Sequence, residues 1–218
     1  MKYKLICFDL DGTLVDETKS VWESIRNAIE IDWKRSREGA KRYHSKEINY
    51  KEWAEIEMGL WKESSIGKGH FLKGIGHFKL MPGAKEALLH LKDKGYKLMI
   101  LSGSISLVLD IVLPGWNELF DHVFINRIYF NEKGQIIGAD WLPRERDNEG
   151  KAEEIKEFCL KEGIDLKEVV FVGDSDNDVS AMRLSGLGIA FNSQSEKLNQ
   201  AADVIIGKKD VREILRYL

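Results

Sequence analysis

The stretch Leu5-Ile6-Cys7-Phe8-Asp9-Leu10-Asp11-Gly12-Thr13 decides the fold: four apolar residues in a row, then two carboxylates and a glycine. An unbroken apolar run of this kind does not suit a strand with one wet face, and reads as a central strand of a parallel sheet covered on both sides. Comparable runs recur at Lys97-Leu98-Met99-Ile100-Leu101, Val169-Val170-Phe171-Val172 and Val204-Ile205-Ile206. Helical patterns lie between them, for example Ala84 to Lys94, opened by Pro82 and stopped by Gly95, and Gly150 to Lys161, stopped by Gly163. The alternation predicts a doubly wound α/β domain with a parallel sheet, in which ligands bind beyond the carboxyl ends of the strands.

Two segments break the alternation. From about Asp16 to Leu80 no strand is expected, only helical stretches that carry Trp22, Trp33, Trp53 and Trp61. A helical cap over residues 16–80 with a second small core follows, set into an α/β core of residues 1–15 and 81–218. The tryptophans are expected to fill that core, with one or two of them lining a substrate pocket as the alternative. Between His122 and Trp141, the turn signal Asn131-Glu132-Lys133-Gly134 separates two apolar runs and predicts a hairpin.

At 218 residues the chain is long enough for a core domain and a small accessory one. Its two cysteines, Cys7 and Cys159, fall in a buried strand and a helix and are expected to be reduced, packed thiols. No apolar stretch is long enough to span a membrane, and Met1-Lys2-Tyr3-Lys4 runs directly into a strand, so a cytoplasmic location is expected. The net charge of −3 comes from 33 basic and 36 acidic residues mixed along the chain. That pattern offers no footprint for nucleic acid or for an anionic membrane.

Four places carry chemistry. Asp9 and Asp11 follow the first strand, where two close carboxylates require either a bound cation or a proton on one of them. Ser102-Gly103-Ser104 follows the strand ending at Leu101 and opens a helical run from Ile105 to Leu113, which makes it an anion site or an ordinary helix cap. Lys151 stands at another helix start, a solvated charge unless the fold brings it to the others. Gly173-Asp174-Ser175-Asp176-Asn177-Asp178 ends a third strand, and its crowded acids suit a hard divalent cation such as magnesium.

In this order the four elements resemble the haloacid dehalogenase-like (HAD) hydrolase superfamily, with its Rossmann-like core, and within it the phosphoserine phosphatase-like branch. The resemblance spans nearly the whole chain. It implies a Mg2+-dependent phosphatase acting on a small phosphate ester, with Asp9 as the nucleophile that becomes an aspartyl phosphate. Asp11 would be the acid and base, its carbonyl also facing the metal. The metal would be held by Asp9, Asp11, Asp174 and Asp178, and the phosphoryl oxygens by Ser102, Gly103 and Lys151, with Asn177 orienting one of them. An acid at position 11 separates the chain from the dehalogenases and ion-pumping ATPases of the superfamily, which lack one there.

The cap departs from the pattern that the phosphoserine phosphatases use to grip their substrate. Glu17 is close to the expected glutamate but offset by one residue, and no arginine occurs between Arg42 and Arg127. Lysine does not reproduce the two-pronged hold of guanidinium on a carboxylate. The glycine-rich stretch from Ile66 to His77 is expected to be a flexible cap loop, with His70 or His77 as possible substrate contacts. A phosphotransferase or mutase using the same aspartyl phosphate is the enzymatic alternative, and an inactive phosphate-binding module the non-enzymatic one. A monomer or a homodimer is compatible with the sequence.

Overall fold

The computed structural model describes residues 2–18, 20–142 and 147–218. Met1, Lys19 and residues 143–146, which the expected core and cap ranges include, lie outside the described residues. Seven strands form one sheet in the order β6-β5-β4-β1-β7-β8-β9: β1 (Leu5–Phe8), β4 (Lys97–Ile105), β5 (His122–Phe130), β6 (Ile136–Asp140), β7 (Val169–Gly173), β8 (Leu187–Phe191) and β9 (Val204–Ile206). All neighbours are parallel except β6, which returns antiparallel to β5 and completes the expected hairpin.

Burial on both faces explains the unbroken apolar runs. Ile6 and Phe8 of β1 pack with Leu98, Ile100, Val170 and Val172 on one face, while Leu5 and Cys7 pack with Met99, Leu101, Val169 and Phe171 on the other. The first face is covered by α5 (Ala84–Asp93), the second by α8 (Asp147–Glu162) and α9 (Val179–Leu184). Both cysteines are buried and free, and burial pushes the Cys159 thiol up to about 11, so neither is a reactive thiolate. β8 escaped the sequence reading because its run, Leu187-Gly188-Ile189-Ala190-Phe191, contains two small residues. Gly188 is needed there, since a Cβ would run into Met182.

The long insert is helical but bounded by strand. β2 (Val15–Asp16) and β3 (Lys79–Leu80) pair antiparallel, so the chain leaves and re-enters the core side by side. Between them stand α1 (Val21–Ala28), α2 (Trp33–His44), α3 (Tyr50–Glu63) and α4 (Lys68–Ile75). The expected second core is not separate: Ile25, Trp61, Phe71 and Ile75 join the same apolar cluster as the covered face of the sheet.

The expected flexible loop at Ile66 to His77 is largely a helix. Phe71 and Ile75, four residues apart, are buried on one side of α4. Gly74 lets α4 approach α1 closely, since a Cβ there would press on the backbone of Ser24 and Ile25. Gly67 is pinned to the hairpin turn, where Lys68 N–H donates to Gly134 O at 2.7 Å, and His70 Nδ1 accepts from Gly67 N–H. These glycines serve close packing, which a composition-based reading mistakes for flexibility.

Candidate active site

The strand order reverses direction around β1, with β4 on one side and β7 on the other, and the carboxyl ends of these three strands meet the chemistry. Asp9 directly follows β1, its N–H donating to Val172 O on β7 at 2.9 Å, which sets it beside the end of β7. Asp174 follows β7, and Asp178 sits one short 3-10 turn later. Carboxylate oxygens of Asp9, Asp174 and Asp178 all lie within 4.8 Å of one another.

Lys151, on α8, reaches this cluster from behind the sheet. Its Nζ stands 2.6 Å from Asp9 Oδ1 and 2.6 Å from Asp178 Oδ1, with 2% of the residue exposed. Two glycines make room for the acids: a Cβ at Gly12 would collide with the Asp174 carboxylate, and one at Gly173 with that of Asp178. Gly12 also has a φ of +83°, in the left-handed region that favours glycine. Asp178 Oδ2 accepts the N–H groups of Asp174 (3.0 Å) and Ser175 (3.2 Å), and so fixes the turn that carries Asp174.

Three carboxylates around one ammonium leave an excess of negative charge. Burial, then the charges of Asp9 and Asp178, push Asp174 up to about 8. Burial pushes Asp178 up to about 6 against the opposing pull of Lys151, and raises Asp9 in the same way. Burial works against the charge on Lys151, but Asp178 and Asp9 outweigh it and hold the ammonium protonated. The donor set is all oxygen and Asp174 is only half-buried, which fits a hard divalent cation entering from the open side.

Asp11 stands apart from that cluster in its contacts. Its Oδ1 accepts from the Ser104 hydroxyl (3.1 Å) and its Oδ2 from the N–H of Val21, first residue of α1 (2.9 Å). Ser20, ahead of that helix, makes no side-chain cap bond, so Asp11 serves the otherwise uncapped helix start and is itself fixed by it. Burial raises its carboxyl above the ordinary range.

Ser102-Gly103-Ser104 is not a helix cap. β4 continues through it to Ile105 and the helix α6 (Ser106–Val112) begins only at Ser106, without a side-chain cap. The reason is Asn126 on β5, fully buried, whose Nδ2 donates to the carbonyls of Gly103 (2.9 Å) and Ser104 (3.1 Å) and whose Oδ1 accepts from Leu142 N–H (3.0 Å). A register shift between β4 and β5 falls in the same place. Trp22 of the cap closes the arrangement by donating its Nε1–H to Gly103 O at 2.9 Å.

The fold thus brings Asp9, Asp174, Asp178 and Lys151 together, and links Asp11 to the Ser102–Ser104 segment. Asn177 is half-buried at the rim, its Oδ1 accepting from Ser175 Oγ at 2.6 Å. Glu17 is exposed and pairs with Lys79 at 2.8 Å. Its φ of +64° lies in the left-handed region. Of the residues that shape this arrangement, Asn126 was missed by sequence reasoning; Ser104 was read as part of its string, and Trp22 only as one of the cap tryptophans with a pocket-lining alternative.

A largely parallel sheet with a lysine-bridged acidic cluster at its reversal point defines a doubly wound α/β protein whose site suits a divalent cation and an anionic ligand. The model of the haloacid dehalogenase-like hydrolase family matches residues 3–186. The phosphoserine phosphatase of Methanocaldococcus jannaschii is 31% identical over 218 residues, covering 100% of this chain and 98% of that protein. That of Archaeoglobus fulgidus is 36% identical over 211 residues; these are 95% of this chain but 58% of the longer relative. A solved structure described as a phospho-aspartyl intermediate analogue of phosphoserine phosphatase superposes with a TM-score of 0.71 at 28% identity, each chain fully covered.

The chain belongs to the haloacid dehalogenase-like hydrolases, in the phosphoserine phosphatase-like branch. It is a phosphatase, a phosphoric monoester hydrolase. No helix among the described residues is long and apolar enough to cross a membrane.

Proposed function

We propose that the protein is a magnesium-dependent phosphomonoesterase for a small molecule, in which Asp9 is the nucleophile and Asp11 the acid and base. The observation that carries this reading is the separation of the two aspartates' surroundings: Asp9 is held by Lys151, while Asp11 is held by Ser104 and the α1 N-terminus. A nucleophile must be ionised and aimed, whereas a general acid must carry a proton that it can release.

An Asp9 oxygen forms a bond to phosphorus as the bond to the ester oxygen breaks, and Asp11 gives that oxygen its proton. Water then attacks the aspartyl phosphate; Asp11 takes a proton from that water as the Asp9–phosphorus bond breaks, and phosphate leaves with Asp9 restored. The Ser104 hydroxyl suits both states of Asp11, donating to the carboxylate and turning to accept from the acid. Lys151, the Ser102 hydroxyl and the Gly103 N–H supply positive charge and donors to the phosphoryl oxygens, and Asn177 orients one of them. Mg2+ would be held by Asp9, Asp174 and the Asp11 carbonyl, with Asp178 behind them, and would neutralise the charge that phosphate brings.

The test is phosphate release from a panel of phosphomonoesters that includes phosphoserine, with Mg2+ and with chelator, by the native protein and Asp9→Asn. Metal-dependent release that falls by at least about 1,000-fold in the variant, with unchanged circular dichroism, is expected. Near-native rates in Asp9→Asn would overturn the mechanism.

A further inference from the structure

Next to the site lies a cavity of about 650 Å³ between the cap helices and the edge of the core. Five of the chain's six tryptophans line it, Trp22, Trp33, Trp53, Trp61 and Trp141, together with Tyr50. Gly103, between Ser102 and the Ser104 that holds Asp11, is one of its lining residues, so the cavity adjoins the segment that holds Asp11.

The aromatic walls are arranged as faces. Trp22 and Trp61 stack with centroids 6.3 Å apart and planes 15° from parallel, and Trp141 leans on both at 6.3 and 6.2 Å. Further out, Trp53 is backed by Tyr43 at 4.9 Å and 10°. Trp22, Trp33, Trp53 and Trp141 are only half-buried: Trp22, Trp33 and Trp141 pack against the core on one side, and all four also line the cavity. Of the polar lining groups, Ser36 and Glu57 satisfy each other at 2.8 Å, and Arg26 and Arg37 are exposed at the rim.

A volume of this size is in the range of cavities that enclose ring-bearing ligands, far more than a small amino acid fills. Indole faces favour flat aromatic surfaces through stacking, and the charged lining groups Arg26 and Arg37 stand at the exposed rim, away from these faces. We infer that the leaving group of the natural substrate is a bulky, aromatic-ring-bearing alcohol, seated among these indoles while its phosphate faces Asp9. The inference rests on the phosphatase reading above and names the substrate class for the same site.

The experiment compares esters whose leaving groups are all simple alkoxides, so that intrinsic reactivity is matched: ethyl, n-octyl, 2-phenylethyl and 2-(2-naphthyl)ethyl phosphate, with phosphoserine alongside. The expected kcat/KM order is naphthylethyl, phenylethyl, ethyl, with a gain on the order of 30-fold from ethyl to naphthylethyl, as burial of an aromatic ring entails. Ala40→Trp, on the cavity wall, is expected to remove that gain while leaving ethyl phosphate turnover unchanged, which also shows that the variant folds. Equal rates across the series, a preference for phosphoserine, or octyl phosphate ahead of the naphthyl ester would overturn the inference and leave the phosphatase reading standing. If no ester is hydrolysed, that reading fails by itself, and the cavity is judged by titrating 2-(2-naphthyl)ethanol against tryptophan fluorescence. Saturable quenching lost in Ala40→Trp supports aromatic binding, and no quenching overturns it.

Discussion

The amide of Asn126 donates to the carbonyl of Gly103 at 2.9 Å across the β4–β5 junction, where Asn126 is wholly buried. The same amide also holds Ser104 O and Leu142 N–H, so one side chain satisfies three main-chain groups. It keeps β4 extended past Leu101 and thereby sets the Ser104 hydroxyl against Asp11. Asn126→Ala is expected to cost about 3 kcal/mol, because buried polar groups lose their partners. Asn126→Asp should do no better, since it puts an acceptor where two carbonyls need a donor. Urea unfolding of both variants checks this, and a loss under about 1 kcal/mol for either would show that the junction holds without the amide.

Ser104→Ala tests the link from that junction to Asp11. The hydroxyl donates to the Asp11 carboxylate and lowers its pKa against the larger effect of burial. Without it Asp11 keeps its proton to higher pH, so the alkaline limb of the kcat/KM profile, where the acid is lost, should move upward. Turnover should fall by about tenfold as the carboxyl loses one of its two anchors. An unmoved alkaline limb would mean that Ser104 does not act through Asp11.

The strings that announce themselves in the sequence are those whose chemistry is local. Asp9, Asp11, Asp174 and Asp178 stand within a few residues of a strand end, and the strand's apolar run gives their position away. Lys151 gains meaning only from residues 142 and 27 positions distant, and that distance closes because α8 lies across the back of the sheet. Asn126 sits in an ordinary strand, and nothing in its neighbours marks it as the residue that shapes β4. The cavity is less legible still: its walls come from α1, α2, α3 and the segment after β6, and only the excess of tryptophan hinted at it. Glycine misled in the other direction, for at Gly67 and Gly74 it marks close contact and not looseness.

The metal-free protein should lose stability as pH rises from about 5 to 8. Asp178 is pushed up to about 6 and Asp174 to about 8, both above the ordinary carboxylate value near 3.8. Between the unfolded and folded values the native state binds more protons than the unfolded one, so the slope of unfolding free energy with pH is negative there. Deprotonation leaves the crowded carboxylates facing one another. Mg2+ binding supplies the missing positive charge and should flatten or reverse the trend. Thermal unfolding in chelator across this range, repeated with Mg2+, is the check; a chelated protein that grows more stable toward pH 8 would contradict it.

Lys151→Met separates the charge of Lys151 from its packing. The side chain is almost fully buried and its stem is replaced by one of similar length, so the variant loses chiefly the ammonium that lies 2.6 Å from both Asp9 and Asp178. Removing one partner of a buried ion pair typically costs about 3 to 5 kcal/mol, because the charge left behind has neither water nor counter-ion. Here the abandoned groups can escape by taking up protons, and they do so more readily as pH falls. The loss should therefore be small at pH 5, where Asp174 and Asp178 are largely protonated, and large at pH 8.5, where it should lower the melting temperature by about 10 °C. Mg2+ should recover part of that loss, since a divalent ion restores positive charge among the same carboxylates. Turnover should stay low even so, because the ion cannot supply the donor that, in the proposed mechanism, Lys151 would offer to the phosphoryl group. An equal loss at both pH values would assign the role of Lys151 to packing instead of charge, and recovery of turnover by Mg2+ would remove it from the phosphate site.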